Sequence, residues 1–135
     1  MKFIIENSLL IGIVLVSGAF LAWPAILRRS AGAVVTQLQA TQLMNRKNAL
    51  LLDIRSSDEF SAGYITGAKN IPADQVLSRL SELSKHKTGS LILADAKGNK
   101  TGVVVALLKK EGFSEVVTLE GGVEGWKNAG LPLTK

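Results

Sequence analysis

The feature that most limits how this chain can fold is an uncharged run near its start. From Ser8 to Leu27 the sequence reads SLLIGIVLVSGAFLAWPAIL, 20 residues without Asp, Glu, Lys or Arg. As a helix rising about 1.5 Å per residue, such a run spans roughly the 30 Å hydrocarbon core of a bilayer. It is apolar on every face, unlike the one-sided helices of a globular core. Two readings remain. In one, the run belongs to a cleaved secretory signal, with Lys2 before it and Ser17-Gly18-Ala19 as a small-residue cleavage site. In the other it is a permanent transmembrane helix over residues 8–27. Glu6 sits badly in a signal's basic region, and the apolar stretch continues through Phe20, Leu21, Trp23, Ile26 and Leu27, which favours the anchor. Trp23 and Pro24 stand near its far end, where an interfacial aromatic is expected. Arg28 and Arg29 follow at once, and no acid comes after them until Asp53. The positive-inside rule therefore predicts a single-pass protein of an inner or plasma membrane, with its C-terminal domain in the cytoplasm.

The 135 residues leave room for one domain beyond that segment. A positive mean hydropathy (+0.25) in a chain of pI 9.7 fits such a division into an apolar part and an ordinary one. The organisation expected is an anchor segment over 1–29, a short linker over 30–34 and a domain over 35–135. The chain has no cysteine, which excludes disulfides, thiolate catalysis and Cys-ligated metal sites. The net charge of +5 is spread without a dense basic run, and no stacking aromatics accompany it. That reads as a solvated surface compatible with anionic headgroups, with no nucleic-acid partner.

After Ser30–Val35 (SAGAVV), small residues read as linker, Thr36-Gln37-Leu38-Gln39 has the spacing of a capping box opening a helix. Ala40, Leu43 and Met44 give that helix an apolar face, and Arg46-Lys47-Asn48 ends it. Ala49–Ile54 is an unbroken apolar run apart from Asp53, the pattern of a strand buried on both faces of a parallel sheet. Ser57, Asp58 and Glu59 predict a short helix stopped by Gly63, and Ala68–Pro72 a second strand. Val76, Leu77, Leu80 and Leu83 predict a helix over 74–84. Ser90–Ala94 and Val116–Leu119 are further strands. Between them Gly102–Glu111 reads as a helix with Lys109 and Lys110 in its last turn and Gly112 beyond. Gly121-Gly122 turns into a last short helix through Trp126, expected to be a core anchor, and Gly130 and Pro132 close it. His86 has no partner at metal-ligand spacing and is expected to be exposed and inert. Strands alternating with helices argue for an α/β domain with a mainly parallel sheet, whose ligands sit beyond the strand carboxyl ends.

Two loops lie at such ends, 55–58 and 95–101. The second, Asp95-Ala96-Lys97-Gly98-Asn99-Lys100-Thr101, joins a strand to a helix start, an arrangement that aims backbone N–H groups at one point and favours an anion. It lacks the P-loop spacing. An ordinary polar βα connection stays open as the alternative.

The stretch LLDIRSSDEFSAGYITGAKNIP, Leu51 to Pro72, resembles the opening signature of rhodanese-like domains. The family's pattern there is an Asp-x-Arg after the strand, an acid-aromatic pair, then Gly-His-Ile-x-Gly-Ala and Asn-Ile-Pro. The stretch EGFSEVVTLEGGVEGWKNAGLPL, Glu111 to Leu133, resembles its closing signature of Gly-Phe, Leu-x-Gly-Gly and Gly/Ala-Trp. The resemblance covers residues 35–133 and implies the rhodanese-like α/β fold, a central mainly parallel sheet flanked by helices, here following one N-terminal transmembrane helix. Between the two blocks the family carries a loop close to Cys-x-x-Gly-x-Arg-Ser. With Gly98 fixing the register, Asp95 falls at the Cys position, Lys100 at the Arg and Thr101 at the Ser. In active members that cysteine carries sulfane sulfur as a persulfide, which an aspartate cannot do. The resemblance thus implies the sulfurtransferase fold without its nucleophile, no catalytic residue of the usual kind, no cofactor and no metal. Asp53 and Arg55 match the motif's Asp and Arg and are expected to order the loop as an ion pair. Tyr64 replaces the family's frequent His. Asp95 is expected to fill the nest of N–H groups in place of an external anion.

The function expected is a membrane-tethered, non-catalytic module that binds another protein at the membrane. Two alternatives stand beside it: an enzyme using Asp95 as nucleophile or general base, and a domain binding a small anion or sulfur species weakly through the 95–101 loop.

Overall fold

A computed structural model describes residues 33–135 without interruption and, before them, only residues 6–8, 12, 13, 15 and 17. Most of the proposed membrane helix, and Arg28 and Arg29 after it, lies outside the described residues. Among the described residues no helix is long and apolar enough to cross a membrane.

Five strands form one sheet: β1 (Ala33–Val35), β2 (Leu50–Asp53), β3 (Lys69–Asn70), β4 (Ser90–Ala94) and β5 (Glu115–Leu119), in the order β1-β5-β4-β2-β3. Every pairing is parallel. Helices α1 (Gln37–Lys47), α2 (Ser57–Ala62), α3 (Gly102–Lys110) and α4 (Gly122–Asn128) connect them, with two 3-10 segments, Ala73–Gln75 and Leu77–His86, between β3 and β4. The α/β architecture with a central parallel sheet is the one expected.

The central strand shows why. All five residues of β4 are buried, and its side chains alternate between two cores as strand geometry requires. Leu91 and Leu93 join Leu52, Ile71, Leu83, Val105 and Leu108 on the face covered by α3 and the 3-10 segments. Ile92 and Ala94 join Ala40, Leu51, Val117, Leu119 and Trp126 on the face covered by α1 and α4. A strand sealed on both sides needs continuous apolar sequence, and SLILA supplies it. Trp126 is a core anchor, as expected, with its indole N–H donating to the Pro132 carbonyl at 3.1 Å.

Helix α1 starts on the expected capping box: the Gln39 N–H donates to Thr36 Oγ1 at 3.2 Å, and the Thr36 N–H to Gln39 Oε1 at 2.9 Å. Asn48 ends it in the left-handed conformation (φ 51°), which asparagine tolerates better than most residues.

Two local expectations change. The stretch 30–35 reads as linker, yet Ala33–Val35 is an edge strand in register with Val117–Leu119. Three small or β-branched residues are too few to show a period, so the pairing is set by the open edge of β5. Helix α2 begins at Ser57 as expected, capped by the Ser56 hydroxyl, which accepts from the Glu59 N–H at 3.3 Å. The helix expected over 74–84 is instead 3-10, interrupted at Arg79 (φ −116°, ψ 23°). Ser78 and Ser84 donate their hydroxyls to the carbonyls of Gln75 and Ser81, three residues back, and such local bonds compete with α-helical pairing.

Arg79 also takes part in an ion cluster: Glu82 accepts from Arg79 Nε at 2.6 Å and from Nη2 at 3.0 Å, and pairs with Lys69 Nζ at 3.1 Å. These two cations, Arg79 first, lower the Glu82 carboxyl to about 2. Because the folded value lies below the unfolded one, the contribution is complete above the unfolded value of about 4.3 and is lost as pH falls through the folded one. Urea titrations of wild type and Glu82→Gln should show a stability gap that is constant above about pH 5 and closes between about pH 4.3 and pH 2. At the core, Leu93→Ala is expected to cost about 2–5 kcal/mol by urea denaturation, because Leu93 is completely buried among close-packed neighbours.

Candidate functional site

A parallel sheet places all its strand carboxyl ends along one edge, and the loops leaving β2, β4 and β5 meet there. The β4–α3 loop starts at Asp95, 4% exposed. Its carboxylate turns back into its own loop, Oδ1 accepting from the Gly98 N–H at 2.5 Å and Oδ2 from the Lys100 N–H at 2.7 Å. Both oxygens are thus held by backbone donors, charge-assisted bonds of the strong kind. The side chain fills the concavity where those donors converge.

The loop is fastened from outside by α4. The Val123 N–H donates to the Asp95 carbonyl at 2.9 Å and the Glu124 N–H to the Ala96 carbonyl at 3.0 Å, so the first turn of α4 gives its unpaired donors to the loop. The approach is close enough to need glycine on both sides. A Cβ on Gly98 (φ +83°) would lie 2.9 Å from the Gly121 nitrogen, and one on Gly122 (φ +62°) would lie 2.8 Å from the Ala96 carbonyl carbon. At the far end of the loop Thr101, 1% exposed, shares a 2.8 Å hydroxyl–hydroxyl bond with Thr118 on β5.

The neighbouring β2–α2 loop is ordered by Asp53 and Arg55. Asp53 is completely buried, and its carboxylate accepts from the Arg55 backbone N–H at 3.0 Å, from Nε at 3.0 Å and from Nη2 at 2.7 Å. Arg55 Nη2 also reaches the Gly63 carbonyl at 2.8 Å. The expected loop-ordering ion pair is therefore present. Sequence reasoning assigned no role to Asn70, whose amide donates to the carbonyls of Asp53 and Arg55, both at 3.0 Å, and so joins the start of the loop to β3. Its signal was the Asn of Asn-Ile-Pro after a strand.

Of the seven loop residues singled out, Asp95 and Thr101 are buried, Ala96 and Gly98 half-buried, and Lys97, Asn99 and Lys100 exposed. The partners of the Asp95 carboxylate are main-chain N–H groups. Ala96 and Arg55 line an open cleft of about 280 Å³ together with Glu59 and Gly63 from the region of α2, Val123, Glu124 and Lys127 from α4, and Leu133 from the C-terminal tail. The C-terminal tail closes one end of this region by an antiparallel bridge between Thr134 and Tyr64, and Tyr64 stacks on Phe60 with ring centroids 4.2 Å apart. His86, away from this site, is half-buried rather than exposed.

The family model of the rhodanese-like domain matches residues 36–129. The chain belongs to that family. Among relatives of this rhodanese-like chain, the uncharacterized protein YibN of Escherichia coli is 36% identical over 103 residues, covering 76% of this chain and 72% of YibN. The thiosulfate sulfurtransferase GlpE of Pseudomonas fluorescens is 32% identical over 88 residues, covering 64% of this chain and 77% of GlpE. A crystal structure of a rhodanese-related protein from Thermoplasma volcanium superposes with a TM-score of 0.66 at 22% identity, over 76% of this chain and 97% of that one, which shows the shared fold.

Two substitutions test this geometry. Gly122→Ala should destabilise the domain by about 2 kcal/mol or more in urea titrations, since it adds left-handed strain to a contact with backbone that has little room to yield. Asp95→Ala leaves the Gly98 and Lys100 N–H groups without their acceptor and should cost about 1–3 kcal/mol in the same measurement. It should also open the loop to thiosulfate or phosphate, detectable by calorimetric titration, where the wild-type chain shows no binding.

Proposed function

We propose that this chain is a rhodanese-like domain without sulfurtransferase activity. In this reading it is held at the cytoplasmic face of an inner or plasma membrane by one N-terminal helix and works by binding another protein. The observation that carries the reading is the self-occupied loop. Asp95 stands at the position that the family resemblance gives to the sulfur-carrying cysteine, and the chain has no other cysteine to replace it. Its carboxylate takes the backbone donors that would otherwise stabilise an anionic sulfur species. The same engagement speaks against Asp95 as nucleophile or base. Both oxygens are bound and the residue is 4% exposed.

The tether rests on the uncharged run of residues 8–27 and the arginine pair after it. For the protein partner, the support is the cleft beside the loop. It sets both signs of charge (Arg55, Glu59, Glu124, Lys127) around apolar residues, a surface suited to a polypeptide rather than to a single small anion. Tethering raises the effective concentration near any partner in the same membrane, so weak contacts suffice.

The full-length chain in detergent or vesicles is expected to form no thiocyanate from thiosulfate and cyanide. Turnover abolished by Asp95→Ala would overturn the non-catalytic reading. A photo-crosslinking residue at Lys127, in intact membranes, should capture a defined protein that one at Gln42 does not. A reporter fused after Lys135 should be active only in its cytoplasmic form.

A further inference from the structure

The cations of the domain are not evenly placed. Parallel pairing puts the amino ends of all five strands along one edge of the sheet, opposite the Asp95 loop. Helix α1 and helix α3 each return from the carboxyl edge to that amino edge, ending in Arg46-Lys47 and Lys109-Lys110. The longer 3-10 segment ends there too, with Lys85 in its last turn and Lys87 just beyond. All six of these side chains are exposed.

Contacts tie the three ends together. The Ser114 N–H and hydroxyl both donate to the Lys87 carbonyl at 3.0 Å, and the Lys87 ammonium lies 5.8 Å from the centre of the Phe113 ring. Arg46, Lys47 and Glu115 line one groove of about 360 Å³ between α1 and the start of β5. The acids nearest these ends are Glu111, half-buried, Glu115, whose carboxylate is bonded by the Ser90 hydroxyl at 2.8 Å, and Glu82 on the same 3-10 segment, which is paired with Arg79 and Lys69. The opposite edge is mixed: Asp53, Asp58, Glu59, Asp95, Glu120 and Glu124 lie at or just beyond the strand carboxyl ends together with Arg55, Lys97, Lys100 and Lys127. Helix dipoles favour a cation at each helix end. The topology then collects three such ends on one edge, and it is from this same side that the chain enters β1.

We propose that this basic edge is a lipid-facing surface: it rests on anionic phospholipid headgroups and so fixes the domain with the Asp95 loop and its cleft turned away from the bilayer. The inference rests on the tether proposed above. An anchor entering from the basic side brings these six cations within reach of the headgroups, where the attraction acts over about a Debye length, roughly 10 Å. The domain then presents its cleft to the aqueous compartment rather than to the membrane.

The absence of native cysteine allows single-site labelling of the full chain. Thr88→Cys places a fluorophore on the basic edge without removing a charge, and Asn99→Cys places one on the loop; both positions are exposed. The labelled chains are reconstituted in vesicles of phosphatidylcholine alone, or with about a third phosphatidylglycerol, and quenched by a headgroup-linked acceptor. In anionic vesicles the label at 88 should be quenched at least about twofold more than the label at 99, with the difference shrinking at high salt. It should shrink likewise when Arg46, Lys47, Lys109 and Lys110 are all changed to Gln. Equal quenching at the two positions in a chain that resists extraction at alkaline pH overturns the orientation and leaves the tether standing. Release of the chain by alkaline extraction overturns the tether and the orientation with it. Protection of the label at 88 by added RNA, with no dependence on anionic lipid, also overturns the proposal.

Discussion

The loop after β4 is held by the first turn of α4, and much of the carboxyl edge of the sheet depends on that contact. The unpaired N–H groups at the start of a helix need acceptors, and here the carbonyls of Asp95 and Ala96 supply two of them. Such an approach brings backbone against backbone, so neither Gly98 nor Gly122 can carry a Cβ without displacing the other segment. The Leu-x-Gly-Gly of the closing signature and the central glycine of the 95–101 loop are therefore two halves of one joint. Arg55 and Asp53 brace the neighbouring loop, and Asn70 links that brace to the edge strand β3.

In the proposed reading, in which Asp95 stands at the family's cysteine position, the exchange of a thiolate for a carboxylate is a change of what the loop's donors hold. A ring of N–H groups stabilises whatever negative charge sits at its centre. A sulfur-carrying cysteine would leave room there for a transferable group. Aspartate instead delivers its own two oxygens to Gly98 and Lys100. The carboxylate keeps the loop's donors satisfied, and in the non-catalytic reading proposed above the chemistry departs because that group carries nothing to transfer. Preserved scaffold and lost nucleophile are thus compatible on one physical ground.

Much of this could be read from the residues, and the failures have definite causes. The strands β2 and β4 were legible because a parallel strand buried on both faces must be continuously apolar, and LLL and SLILA are. Helix α1 was legible through its capping box, and the Asp53–Arg55 pair through the resemblance to the family's Asp-x-Arg. Strand β1 was not, because its three residues pair with β5 across more than eighty positions of sequence, and no local pattern reports such a pairing. The 3-10 geometry of 77–86 was hidden because Leu77, Leu80 and Leu83 recur every three residues, a spacing that an α-helix face and a 3-10 helix share. At the site, the sequence named Asp95 and the loop but left Gly122 only as a turn residue. Its contact with Ala96 exists only once β4 and β5 lie side by side.

The parallel topology also separates two surfaces that a mixed sheet would interleave. The carboxyl ends of α1 and α3, with Arg46, Lys47, Lys109 and Lys110, gather at the amino edge, while the loops, the cleft and the mixed charges around it lie at the other. Because β1 begins from the basic side, the direction in which the chain enters the sheet decides which surface faces its point of attachment. A membrane segment joined to that side leaves the Asp95 loop at the far end of the domain. One constraint, that all five strands run the same way, thus builds the site and, in the tethered arrangement we propose, points it away from the membrane.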